Sequence, residues 1–143
     1  MKLKQEIKIS TLAIDEGDDT IHYQLEVSNG INSTTQDFYG DADNFKEFAN
    51  GLLSFPKSIT DNVKYEIGEC GERWAYYIHL DVFCHENNGH SAIHVIVDNN
   101  GKRPYTNKNE FYITTVPSSV NKLGQLLRDW NPATEKEITW TAE

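Results

Sequence analysis

Apolar and polar residues alternate with a period of two along much of this chain. Leu3, Ile7 and Ile9 share one side of the first stretch, with Glu6 and Lys8 between them. Successive side chains on a strand point to opposite faces, so this pattern predicts a half-buried strand. Asp15-Glu16-Gly17-Asp18-Asp19 reads as a turn. Ile21, Tyr23, Leu25 and Val27 then alternate with His22, Gln24 and Glu26, and Asn29-Gly30 follows. Asn-Gly tolerates the positive φ angles of a type I′ turn, whose twist matches that of paired strands. Residues 20–39 are therefore expected as a hairpin whose more polar return strand ends at Phe38-Tyr39. A two-residue turn there sets His22 opposite Asp37 on the polar face.

The period changes after Gly40. Phe45, Phe48, Ala49 and Leu52 stand at i, i+3, i+4 and i+7, one apolar stripe of a helix. Asp41 is a candidate N-cap and Pro56 the stop. Gly51 inside the stripe costs about 1 kcal/mol against alanine.

Alternation resumes at Val63, Tyr65 and Ile67, spaced by Lys64 and Glu66, and a loop is expected over 68–73. The run from Trp74 to His85 is the longest predicted strand. His90 to Asp98 returns beside it through Glu86-Asn87-Asn88-Gly89. A polar loop then leads to a strand over 111–116. Pro117-Ser118 opens a second helix, with Ser118 as N-cap and Val120, Leu123, Leu127 and Trp130 on its buried side.

The predicted order is βββ-α-ββββ-α. Short loops between successive strands imply antiparallel pairing, and strands grouped apart from helices imply α+β rather than α/β. The expectation is a single antiparallel β-sheet of about six to seven strands with two α-helices packed on one face. Residues 1–131 form one α+β domain, and 132–143 form a loosely ordered C-terminal tail.

Composition narrows what such a domain does. The 143 residues include 13 basic and 22 acidic ones, a net charge of −9 with neutral histidines. That surface repels phosphate backbones and anionic lipid, which argues against nucleic acid and membrane partners; it would favour a basic protein, although acidity more commonly serves only to keep a protein soluble. No apolar leader stands in Met1-Lys2-Leu3-Lys4-Gln5-Glu6, and no run reaches the about 18 apolar residues of a membrane span. Cys70 and Cys84 are not spaced as a C-x-x-C pair and read as free thiols. A cytoplasmic protein is expected.

The 74–98 hairpin carries the candidate chemistry. Trp74, Tyr76, Ile78, Leu80, Val82 and Cys84 share one face, and Ile93, Val95 and Val97 share the matching face of the return strand. The opposite face holds Tyr77, His79, Asp81, Phe83 and His85, then His90, Ala92, His94 and Ile96. Four of the five histidines thus fall on one face. One reading is a metal or proton-transfer site, since zinc takes imidazole and carboxylate ligands when three or four converge. The other is the polar, aromatic open face of an antiparallel sheet. Register separates them. A four-residue turn over 86–89 pairs His85 with His90 and Asp81 with His94. A two-residue Asn88-Gly89 turn pairs His94 with Phe83 and His85 with Ala92, and scatters them.

Cys84-His85 resembles a dyad only in the linear sequence, because strand neighbours point to opposite faces. No phosphate-binding loop, nucleophile elbow, zinc-protease helix or dinucleotide fingerprint is present. The acidic turn at 15–19 lacks the alternating ligands of a calcium loop. No cofactor is expected.

Several features together resemble families of small, uncharacterised bacterial proteins with a "GH" turn between central strands. They are the Phe45-x-x-Phe48 stripe, Asn88-Gly89-His90 leading into Ile93-x-Val95-x-Val97, and Leu123-Gly124-x-Leu126-Leu127. The pattern covers residues 20–130. Some small acidic α+β proteins of this kind are encoded beside toxins as immunity proteins, so the resemblance implies a binding protein. The sequence is accordingly read as a non-enzymatic, acidic protein-interaction domain, an immunity-type inhibitor of a basic toxin being the specific form. Its binding residues are then Tyr77, His79, Asp81, Phe83, His85, His90 and His94. The alternative is a metal-binding or hydrolytic protein using the same histidine face. A homodimer in which two such sheet faces pack together is a third option.

Overall fold

A computed structural model describes residues 4–71 and 73–142. Met1, Lys2 and Leu3, at the start of the first alternation, Glu72 of the 68–73 loop and Glu143 of the tail lie outside the described residues.

Among the described residues eight strands and two helices follow in the order β1 (Gln5–Ile14), β2 (Ile21–Asn29), β3 (Ser33–Gly40), α1 (Lys46–Leu53), β4 (Asn62–Gly68), β5 (Tyr77–Cys84), β6 (Ser91–Asp98), β7 (Lys108–Thr115), α2 (Pro117–Asp129) and β8 (Glu137–Thr141). The α+β class and the two helices match the sequence reading. The single sheet does not. The strands form two four-stranded antiparallel sheets, β3-β2-β1-β8 and β4-β5-β6-β7.

The physical reason is coverage. A seven-strand sheet is about 29 Å wide at about 4.8 Å per strand, and two helices cover about 20 Å of it. Each sheet instead buries its apolar face against the other. Ile7, Ile9, Tyr23, Leu25 and Val27 from one sheet and Ile78, Leu80, Val82, Ile93, Val95 and Ile113 from the other belong to one core cluster. The connection through α1 carries the chain from the first sheet to the second, so β3 and β4 never pair.

The helices pack on each other, with α1 also against β4 and α2 against β8. Glycine makes this approach possible. A Cβ on Gly124 would lie 3.0 Å from Leu52 Cβ, 3.0 Å from Leu53 N and 3.1 Å from Ala49 O. A Cβ on Gly51 would lie 2.6 Å from Val63 Cγ1, so the residue that weakens α1 locally is what seats it on β4. Asn121 Nδ2 donates to Leu52 O and Phe55 O, both at 2.9 Å, and so satisfies carbonyls at the end of α1.

Both expected N-caps are corrected. Phe45 precedes α1 and Val116 precedes α2, and neither position supplies a side-chain cap. Asp41 instead closes a turn by accepting the Asp43 N–H at 2.9 Å. Pro117, which has no N–H to satisfy, occupies the first turn of α2.

The 132–143 segment is also corrected. Residues 137–141 form β8, which pairs with β1 in the register Glu6↔Thr141 to Ser10↔Glu137. Ile138 and Trp140 are buried, and Trp140 Nε1 donates to Ser119 O at 2.9 Å. Ala142 N donates to Gln5 O at 2.8 Å, so the final strand lies directly beside the first.

Candidate functional site

The outer face of the second sheet is where the sequence places its candidate residues, and register decides their arrangement. Cys84 pairs with Ser91, and His85 N donates to His90 O at 2.9 Å. The turn therefore spans residues 86–89, the longer of the two alternatives, with Gly89 at φ 92°. This register sets Asp81 opposite His94 and His79 opposite Ile96. β4 and β7 flank the hairpin, setting Glu66 beside His79 and Tyr112 beside His94.

Two clusters result. The central one joins Tyr77, His79 and His94 with Glu66, Glu110 and Tyr112. The Tyr77 hydroxyl donates to Glu66 Oε2, and His79 Nδ1 lies 3.4 Å from the same oxygen. The His79 and His94 rings meet edge to face with centroids 5.1 Å apart. His94 stacks on Tyr112 at 4.6 Å, and its Nε2 lies 2.6 Å from Glu110 Oε2. The smaller cluster sits at the turn. His85 and His90 stack with centroids 6.4 Å apart, and their Nδ1 atoms lie 3.7 and 3.4 Å from Glu86.

The other candidates stand apart. Asp81 faces His94 in register but accepts a hydrogen bond from Asn62 Nδ2 at 3.0 Å. Phe83 meets Tyr112 edge to face at 6.2 Å. Trp74, expected within the long strand, precedes β5 and is exposed. Cys84 packs toward the core while His85 stands at the turn cluster, so thiol and imidazole are separated as strand parity requires. Both cysteines are free thiols.

The electrostatics follow from these contacts. The hydrogen bond from Tyr77, followed by weaker help from His79 and Lys64, holds the Glu66 carboxyl below its ordinary range. Burial, reinforced by the Glu66 carboxylate, pushes the Tyr77 phenol well above its ordinary value. Lys64 pairs with Asp81 and Lys108 with Asp98, whereas Glu66 and Glu110 face His79 and Ile96, so four carboxylates share the face with two lysines and it is acidic with neutral histidines.

Metal ligation needs three or four convergent donors. Among the described residues no group of three or more histidine, cysteine, aspartate or glutamate side chains could hold a metal ion. His79 and His94 are each tied to a separate carboxylate instead.

The sequence reading missed Glu66, Glu110 and Tyr112. The signal that could have found them is chain order alone: the strands directly before and after the hairpin in sequence pair on either side of it. His22 and Asp37 illustrate the opposite case. The β2–β3 hairpin turns over Asn29–Asn32, so His22 pairs with Tyr39 and Gln24 with Asp37. His22 Nε2 still reaches Asp37 Oδ2 at 3.0 Å across the diagonal.

No protein-family model matches this chain, and no curated protein matches it. Among solved structures it is similar to that of the plant transcriptional regulator PBF-2, with a TM-score of 0.48 and 8% identity over 93% of this chain and 80% of that one. A likeness that distant says nothing of what this chain binds. Among the described residues no helix is long and apolar enough to cross a membrane.

Proposed function

We propose that this chain is a non-enzymatic, acidic protein-interaction domain that engages a basic protein through the open face of β4-β5-β6-β7, as an immunity-type inhibitor engages a basic toxin. The observation that carries the reading is the composition of that face. Tyr77, Phe83 and the 49%-exposed Tyr112 stand among Glu66, Asp81 and Glu110 on this sheet. Aromatic side chains give contact area at low entropic cost, and carboxylates steer a cationic partner toward them. The chain's net charge of −9 acts in the same direction at long range.

The test is association with the product of a neighbouring basic-protein gene, measured by calorimetry at two salt concentrations. Binding should weaken as salt rises, and the Asp81→Lys/Glu110→Lys variant should lose at least about tenfold in affinity, or about 1.4 kcal/mol. Salt-independent binding that this variant leaves unchanged would remove the face from the interaction.

A further inference from the structure

We propose that the outer edge of β4 is a homodimer interface: two copies of this chain join β4 to β4, antiparallel about Tyr65, and fuse their second sheets into one continuous sheet. The proposal concerns an edge rather than the open face, and it stands whether or not that face binds a partner.

Each sheet has two outer strands, and an unpaired edge is a template for another strand unless something occupies it. The β7 edge is occupied. Thr114 N donates to Gln5 Oε1 at 3.1 Å, Gln5 Nε2 donates to Thr114 O at 3.4 Å, and Asn109 Nδ2 donates to Thr34 Oγ1 at 3.0 Å. At β3, Tyr39 N donates to the Tyr76 hydroxyl at 3.0 Å. β8 has only five residues. At β4, among the described residues, no hydrogen bond from an element other than β5 reaches the backbone. A groove of about 540 Å³ runs between this edge and α1.

The residues of β4 say what fits there. Paired with itself about Tyr65, the strand sets Lys64 opposite the second copy's Glu66, and Glu66 opposite its Lys64. Val63 then meets Ile67, Asn62 meets Gly68 and Tyr65 meets itself. A two-fold interface demands this reciprocity, in which residue i meets j and j meets i. Opposite charges on directly facing positions stabilise a strand pair, and like charges destabilise it. Lys64 and Glu66 share the outer face, while Val63 and Ile67 are half-buried on the inner side and gain cover by pairing. The other edges lack this match. About its charged residue Asp37, β3 sets that carboxylate against its own copy, and about Thr139, β8 sets Glu137 against Thr141 with no opposite charge facing it.

Charge also distinguishes a second copy from a cationic partner at this edge. The groove is lined by Glu47, Asp61 and Glu66 but also by Lys57 and Lys64, close to balance in a chain of net charge −9. Two molecules of net charge −9 repel each other at long range, and along this strip the charges nearly cancel. Its centre is held in place. The Tyr65 hydroxyl accepts from Asn44 Nδ2 at 2.6 Å, and its ring packs on Phe45 and Phe48.

Sedimentation velocity of the full chain over about 1–100 µM tests this. The wild type should reach twice 16.3 kDa as concentration rises. Lys64→Glu and Glu66→Lys should each weaken self-association at least about tenfold. An equimolar mixture of the two variants should recover the dimer, because every facing pair is then complementary. Amide exchange at 63–67 should slow in step with dimer formation. Glu66→Lys also loses the Tyr77 hydrogen bond, whereas Lys64→Glu leaves it intact, so circular dichroism on both keeps folding apart from association. A wild type that stays at 16.3 kDa throughout overturns the proposal and leaves the edge to a strand from another protein. A dimer that both variants preserve, or a mixture that recovers nothing, also overturns it.

Discussion

Replacing Trp140 by alanine tests whether β8 is part of the folded domain. The side chain is 2% exposed, and its Nε1 donates to Ser119 O at 2.9 Å. Burying a tryptophan removes about 200 Å² from water, which at about 25 cal/mol per Å² amounts to about 5 kcal/mol as an upper bound. Core Trp→Ala changes cost about 3–5 kcal/mol, and here the Ser119 carbonyl also loses its side-chain donor. A domain of this size has about 5–15 kcal/mol in total, so the loss is a large share. Urea unfolding followed by tryptophan fluorescence and circular dichroism reads it out. With a slope of about 2 kcal/mol per M, the midpoint should fall by about 1.5–2.5 M. Thr139→Ala, an exposed position on the same strand, is the control and should shift it by less than about 0.3 M. A Trp140→Ala loss below about 1 kcal/mol would refute the argument, because it would mean that β8 detaches without disturbing the core.

Tyr77→Phe should let the Glu66 carboxyl rise back toward 4.5, read by NMR titration. The folded-state value lies below the unfolded one, so the wild type has this contribution above the unfolded value and loses it as pH falls through the folded one. The variant should therefore show less acid-dependent destabilisation below about pH 4.5, and an unchanged Glu66 titration would contradict the hydrogen bond. Gly124→Ala should destabilise by about 1–2 kcal/mol in urea, since the tight approach to Leu52, Leu53 and Ala49 outweighs a helix-propensity gain of about 1 kcal/mol. A more stable variant would show that the helix pair moves apart freely. Excess zinc should leave the melting temperature of the wild type unchanged, whereas a zinc-dependent rise abolished by His79→Ala or His94→Ala would establish a metal site.

Much of the strand pattern was legible because alternation has one physical cause, burial of one face. Ile78, Leu80 and Val82 against Ile93, Val95 and Val97 read directly off the sequence, and all are buried. Sheet membership was not legible, because β3 and β4 are neighbours in sequence yet belong to different sheets, and alternation says nothing about partners. β8 was missed because its Ile138-x-Trp140 pattern is short and follows Asn131-Pro132. Both helix starts were misplaced because Asp41 and Ser118 are good caps in principle, while tertiary packing at Phe45 and the proline at 117 set the boundaries. For the site, parity fixed the face, but only the turn conformation at Gly89 chose between the registers. Glu66, Glu110 and Tyr112 joined the cluster through strand order, which single-strand periodicity does not encode.

The place of β1 between β2 and β8 has a consequence for how this domain is made. β2 is available to β1 as soon as the first hairpin emerges, but the other edge of β1 is completed by the last strand of the eight. During synthesis that edge, with Ile7 and Ile9 on its inner side, stays open while six further strands and both helices are produced. Contacts this distant in sequence slow folding and prolong the exposure of an unpaired edge. Alternating lysine and glutamate on the outer side of β1, at Glu6 and Lys8, is the kind of charge that discourages a wrong strand during the wait.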